Sequence, residues 1–228
     1  MKTRSAFFGF LVLSASLEAA NPAPVTTSRP VTWAVPVEKT SVGNLYRVED
    51  DLYRCAQPTP DGFHELSTLG VKTVLDLKGG ADEVSGTPLK LFHVPMTAFG
   101  LRDDRVLEAL KIMADPANRP IAVHCQHGAD RTGALIALYR MVVQGWSKED
   151  ALAEMNDGGF HHSGLFRNLD RYVSRADVTS LRKSLGITAP GPSLAAVRTP
   201  LAAPAPATPA SPAITGTEPE VVAAGAAK

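Results

Sequence analysis

Two short apolar-rich runs, Leu45-Tyr46-Arg47-Val48 and Leu52-Tyr53-Arg54-Cys55, flank the polar Glu49-Asp50-Asp51 and predict a β-hairpin with a polar turn. After Pro58 the spacing changes: Phe63, Leu66 and Leu69 recur at helical intervals over 61–69, and Gly70 stops the helix. Val71 to Leu77 predicts a strand ended by Gly79-Gly80, and Leu91 to Val94 another ended by Pro95. Asp103 is expected to cap a helix that carries Val106, Leu107, Leu110, Ile112 and Met113 as far as Pro116. Ile121-Ala122-Val123 is wholly apolar, the pattern of a strand buried on both faces of a parallel sheet. A helix follows over about 131–143, Ser147-Lys148-Glu149-Asp150 has the form of a capping box opening another, and further helical pattern follows Leu165. Strands alternating with helices predict an α/β fold, a mostly parallel central sheet flanked by helices.

Outside about 41–187 this patterning fails. Residues 1–20 read as an export signal: Lys2 and Arg4 are followed by an apolar run from Ala6 to Val12, too short to span a bilayer, and then by small residues at Ser14-Ala15-Ser16. A periplasmic or secreted protein is expected, with no stable membrane insertion once the signal is cleaved. Residues 21–40, rich in Pro, Thr and Val, read as an extended linker with Trp33 docking on the domain. The Ala/Pro-rich stretch 188–228 cannot bury enough apolar surface to offset its ordering entropy and is expected to be disordered. Within 228 residues, 44% hydrophobic and 20% charged, there is material for one core. The formal net charge of zero leaves no basic stripe for nucleic acid, so attraction for an anionic substrate must be local. Two cysteines, Cys55 and Cys125, are too few for a disulfide-stapled fold.

The chemistry gathers in His124-Cys125-Gln126-His127-Gly128-Ala129-Asp130-Arg131-Thr132, between the buried strand and the next helix. Ligands bind at that carboxyl end in open α/β sheets. A tight turn there points backbone N–H groups of Gln126, His127, Gly128, Ala129, Asp130 and Arg131 at an anion, and Gly128 permits the backbone geometry. The helix N-terminus adds partial positive charge, and the Arg131 fork can grip two phosphate oxygens at once. The same field would lower a thiol pKa from about 8.5 and make Cys125 a nucleophile. Attack on a phosphate ester would give a phosphocysteine that water then cleaves, with Thr132 supporting the leaving thiolate and His124 bracing the loop.

This run matches the HCxxGxxR(S/T)G signature and resembles the protein tyrosine and dual-specificity phosphatases. Leu52 to Pro58 and Leu69 to Leu77 resemble a bacterial subgroup similar to atypical plant and fungal phosphatases of inositol pyrophosphates, over roughly Asn44 to Phe160. The resemblance implies the cysteine-phosphatase fold, a reaction without metal or other cofactor, and a phosphorylated protein or small phosphorylated molecule as substrate. It also implies an acid on the loop after Val94-Pro95, yet Met96-Thr97-Ala98-Phe99-Gly100 carries no carboxylate. Asp130, beside Arg131, is the favoured replacement and Asp103 the alternative. Inositol polyphosphates or phosphoinositides are alternative substrates. A rhodanese-like sulfurtransferase fits less well, because five residues separate Cys125 from Arg131 and the usual sulfurtransferase loop is one shorter; a non-catalytic phosphate-binding module would not need the thiol. His161-His162, lacking companion ligands, is read as surface rather than metal-binding. Cys55, where the subgroup usually has Ser, is read as a small buried residue, with reversible trapping of oxidised Cys125 as the rival.

Overall fold

The computed structural model describes residues 29–188. Its strands are β1 (Val35–Pro36), β2 (Tyr46–Glu49), β3 (Leu52–Cys55), β4 (Thr73–Asp76), β5 (Lys90–His93) and β6 (Ile121–His124). Its helices are α1 (Pro60–Thr68), α2 (Asp103–Ala114), α3 (Asp130–Val142), α4 (Lys148–Asp157), α5 (Arg167–Arg175) and α6 (Val178–Ser184). The sheet order is β1-β2-β3-β6-β4-β5. The hairpin β2–β3 is antiparallel, as is β1 on β2, while β3, β6, β4 and β5 run parallel. The apolar strand β6 therefore lies between two parallel neighbours and is buried along its length. Cys55 and Asp76 both stand opposite His124 in register, so the three strands end level and the chain after β6 leaves from the middle of the carboxyl edge.

One face of the sheet is covered by α1, whose Phe63 and Leu66 join Cys55, Val74 and Ala122 in one core layer. The other face carries the larger layer, where Leu75, Val123 and Cys125 meet Leu110 of α2 and Leu135 and Leu138 of α3. With α4, α5 and α6 packed around it, α3 is enclosed on nearly all sides. A helix apolar all round belongs in such a place, and each enclosed Leu or Ile contributes about 1.5–3 kcal/mol. That makes α3 a stiff mount for the loop at its N-terminus.

Two local expectations change. Residues 29–40, read from composition as a linker, are built into the domain. The short β1 pairs with β2, Ala34 is fully buried with its N–H donating to Glu154 Oε1 at 2.6 Å, and the Arg29 guanidinium lies against the rings of Trp33, Tyr46 and Phe160. A two-residue strand has no period to read, and an arginine held by aromatic faces leaves no trace in local composition. The proposed export signal and all but the first residue of the Ala/Pro-rich tail lie outside the described residues. Arg102, whose side chain makes no capping bond, occupies the cap position of α2, so Asp103 is the first residue inside the helix rather than its cap. Ser147 does cap α4, its Oγ accepting the Asp150 N–H at 3.0 Å.

Candidate active site

Between His124 and Asp130 the chain makes one tight turn, and Gly128 is why it can. Its φ is +67°, a left-handed conformation, and a Cβ there would lie 2.3 Å from the Cys55 carbonyl oxygen. Every carbonyl from Cys125 to Ala129 is directed to a protein donor. The Cys125 oxygen lies 3.2 Å from His124 Nδ1, and the Gln126 oxygen accepts the Gln57 N–H at 3.2 Å. The His127 oxygen accepts from Asn44 Nδ2 at 2.9 Å, and the Gly128 oxygen from Arg54 Nη2 at 2.7 Å. The Ala129 oxygen accepts the Gly133 N–H at 2.8 Å, the first turn of α3. With the carbonyls tied outward, the intervening N–H groups are left to the concave side, where they form an anion nest. Ala129 caps α3 without a side-chain bond, so the helix's own first N–H groups are not consumed by a cap.

Cys125 is buried at the base of this turn. Arg131 is braced from one side, Nη1 lying 3.4 Å from the Leu77 oxygen and 3.3 Å from the Met96 oxygen. Among the described residues its Nε and Nη2 have no protein partner, which leaves two parallel donors for an oxyanion. Thr132 Oγ1 is buried with no hydrogen-bond partner among the described residues. The exposed Gln126 and His127 form the rim. Beside them opens a cavity of about 510 Å³, lined by Asn44, His127, Asp130, His161, Ser163 and Phe166 among others. No Lys or Arg among the described residues lines it.

The two candidate acids are placed differently from expectation. Asp130 Oδ1 accepts the Ser163 N–H at 2.8 Å and pairs with His162 Nδ1 at 2.9 Å. Burial pushes this carboxyl up, but His162 and the Ser163 N–H outweigh it and hold Asp130 below the usual carboxylate range. Fixed ionisation is the opposite of what a proton donor needs. Asp103 lies in another groove, between α2, α5 and α6, where its carboxylate accepts the Tyr172 hydroxyl at 2.6 Å. His162, read as surface, has a buried side chain held between Asp130 and, at 3.5 Å, Asp170. His161 is exposed on the rim. The Asp130 carboxylate close to its Nδ1 raises His162 against the opposing effect of burial.

Behind the loop, His124 Nε2 lies 2.8 Å from Asp82 Oδ2 and 4.0 Å from Asp76 Oδ1. The Asp82 approach is close but off the ring N–H direction, so it is a charge contact rather than a directed hydrogen bond. These three residues could bring ligand atoms within 4.8 Å of one another. The donors are spent internally, however: Asp82 holds Lys78 at 2.5 Å and Gln57 at 3.1 Å, and Asp76 accepts the Lys78 and Asp82 N–H groups. Burial pushes Asp82 up, but His124 and Lys78 outweigh it and keep the carboxyl low. Cys55 and Cys125 are both free thiols in opposite core layers, and burial raises the Cys55 thiol far above its usual range.

Arg54, Asn44, Gln57 and Asp82 were not singled out as site residues from the sequence, and His162 was read only as surface. Arg54 left one signal, a charge inside a strand whose other residues pack inward.

Residues 24–168 match a family model described as a DSP-PTPase phosphatase fused to NAD+ kinase. The chain is similar to the dual specificity protein phosphatase TpbA of Pseudomonas aeruginosa, 36% identical over 184 residues covering 79% of this chain and 82% of the relative. It is 32% identical over 155 residues to the inositol diphosphatase DSP3 of Arabidopsis thaliana, covering 62% of this chain and 74% of the relative. A crystal structure of P. aeruginosa TpbA in complex with pTyr superposes with a TM-score of 0.63 at 37% identity, covering 70% of this chain and 99% of that one.

Proposed function

We propose, from the premise that the chain belongs to the dual-specificity protein tyrosine phosphatase family, that its phosphatase reaction runs through Cys125 and the nest formed by residues 126–131. One observation carries the assignment: all five carbonyls from Cys125 to Ala129 are tied to donors outside the nest, leaving the N–H groups for three phosphate oxygens above the thiol. The Cys125 thiolate attacks phosphorus, an S–P bond forms as the ester P–O bond breaks, and the leaving oxygen departs as its anion and takes a proton from solvent water. Water then attacks phosphorus, the S–P bond breaks and inorganic phosphate leaves. Arg131 bridges two oxygens through both steps, and Thr132 Oγ1, unpartnered and buried, donates to the sulfur as it is expelled.

Asp130, ionised by His162, serves the loop as an anionic brace rather than as the acid. With that carboxylate committed, the rim offers little help to a poor leaving group, so the reading favours aryl phosphates such as phosphotyrosine. The pTyr complex of the similar TpbA supports the same substrate class. The inositol diphosphatase relative keeps inositol phosphates as a second reading, which the cavity lining, with histidines but no Lys or Arg, favours less. The basic start and short apolar run at residues 2–12 support export to the periplasm or beyond.

The direct test is Cys125→Ser with orthovanadate as ligand. Turnover of p-nitrophenyl phosphate and of a phosphotyrosine peptide should vanish while vanadate still binds, because the nest is backbone. Near-normal turnover in this variant would overturn the mechanism.

A further inference from the structure

Arg54 is a cation in the core. It is 1% exposed, on β3 between β2 and β6, and no carboxylate oxygen lies within ion-pair distance of it among the described residues. The charged and titratable groups facing it are Cys125 beyond β6, Glu154 of α4, Arg140 of α3 and Tyr46 of β2. Glu154 is already committed: Arg140 grips both its oxygens, at 2.8 and 2.7 Å, and the Ala34 N–H takes one of them. Arg54 is left with a face contact to the Phe160 ring, 3.6 Å from its centroid, and one hydrogen bond, to the Gly128 carbonyl. Its Nε has no partner among the described residues.

A buried charge without a counter-charge is costly unless something in the working protein supplies one. Burial lowers Arg54 only to about 10, so it stays protonated at neutral pH. Of the groups around it, Cys125 is the one that gains negative charge during the reaction, first as thiolate and then beneath a transferred phosphoryl group.

We infer that Arg54 is a positioning residue of the phosphatase site: clamped on Phe160, it holds the Gly128 peptide in its left-handed setting and supplies the fixed positive charge that balances the anion built on Cys125. It does not touch substrate, since the Gly128 carbonyl that it holds is on the outside of the nest. Phe160 belongs to the device. Its ring fixes the guanidinium plane, and its carbonyl accepts from Asn44 Nδ2, the same amide that holds His127. Two neighbouring peptides of the loop are thus set from one side by a single cluster. The inference rests on Cys125 being the nucleophile, as proposed above.

The test compares Arg54→Met, Arg54→Lys and Phe160→Leu in the full chain. The readouts are kcat and KM for p-nitrophenyl phosphate, inhibition by orthovanadate, and the rates of Cys125 alkylation by anionic iodoacetate and neutral iodoacetamide. Arg54→Met should lower kcat about a hundredfold, weaken vanadate inhibition about tenfold, and abolish any preference for iodoacetate over iodoacetamide. Arg54→Lys keeps the charge but not the fork, so it should restore that preference while kcat stays about tenfold down. A merely structural Arg54 would change the melting temperature and leave the alkylation ratio and vanadate inhibition alone. Folded Arg54→Met with kcat and vanadate inhibition near wild type would overturn the inference. If Arg54→Met does not fold, Phe160→Leu decides: about tenfold weaker vanadate inhibition supports the clamp, and unchanged inhibition refutes it. Wild-type protein inactive on every phosphate ester would sink the phosphatase reading itself, whereas normal wild type with indifferent variants sinks only the role of Arg54.

Discussion

Replacing Gly128 by Ala adds one carbon where the fold has no room for it. The new Cβ would lie 2.3 Å from the Cys55 carbonyl oxygen, 2.4 Å from its carbon and 2.6 Å from the Ala56 nitrogen. All three are backbone atoms of the β3 terminus, which pairs with β6, so they cannot swing aside as a side chain could. The left-handed φ of +67° adds about 1–2 kcal/mol for any residue with a Cβ, and relieving the overlap adds about 1–3 kcal/mol. At roughly 2–4 °C per kcal/mol for a domain of this size, the melting temperature should fall by about 4–20 °C. Catalysis should suffer more than stability. Relief of the clash must move the Gly128 peptide by a sizeable fraction of an ångström, and misplacement on that scale costs about a hundredfold in rate. Thermal melting by circular dichroism and kcat/KM on a phosphotyrosine peptide measure the two effects. A Gly128→Ala protein that melts within a degree of wild type and keeps kcat/KM within threefold would refute the close approach and the nest that depends on it.

The Asp130–His162 pair makes stability depend on pH in two directions. Asp130, depressed in the fold, contributes above about 3.9 and loses that contribution as pH falls through its folded value; His162, raised, contributes below about 6.5 and loses it as pH rises through its folded value. Melting temperature should therefore decline above about pH 6.5 in wild type and decline less in His162→Gln; parallel profiles would remove the pair from the account. Asp130→Asn should depress turnover of p-nitrophenyl phosphate and of phosphoserine to similar extents, because a brace serves both leaving groups. A loss confined to phosphoserine would restore Asp130 as the acid. Cys55 lies with Phe63 and Val74 in the layer opposite Cys125, its thiol held protonated by burial. Activity recovered by thiol after mild peroxide should be the same in wild type and Cys55→Ser, and poorer recovery in the variant would revive the trapping role.

The strand–loop–helix around Cys125 was legible because each part of it is local. An all-apolar run bounded by Pro120 and His124 can only be an interior strand, and Arg131-Thr132-Gly133 opens a helix whose apolar residues surround it. The hairpin and the helices at 60–68, 103–114 and 148–157 followed from period in the same way, and the last also from its cap. Residues 29–40 were misread because two residues of β1 and a stacked Arg29 give no periodic signal. The contact that counts against Asp130 as the acid was not legible, because adjacency to Arg131 says nothing about His162, which reaches it from beyond α4.

From sequence alone came the α/β class and the motif that sets Cys125, Gly128 and Arg131 in one loop, since a nine-residue motif and hydrophobic period are both written in consecutive residues. Tertiary structure alone decided what holds the nest open. Asn44 reaches His127 across 83 positions and Arg54 reaches Gly128 across 74, brought there by the parallel pairing of β3 with β6. Strand pairing is non-local and its hydrogen bonds are made by backbone common to every residue. No local pattern could therefore say that a charge on β3 would end beneath the loop that follows β6, without a carboxylate of its own.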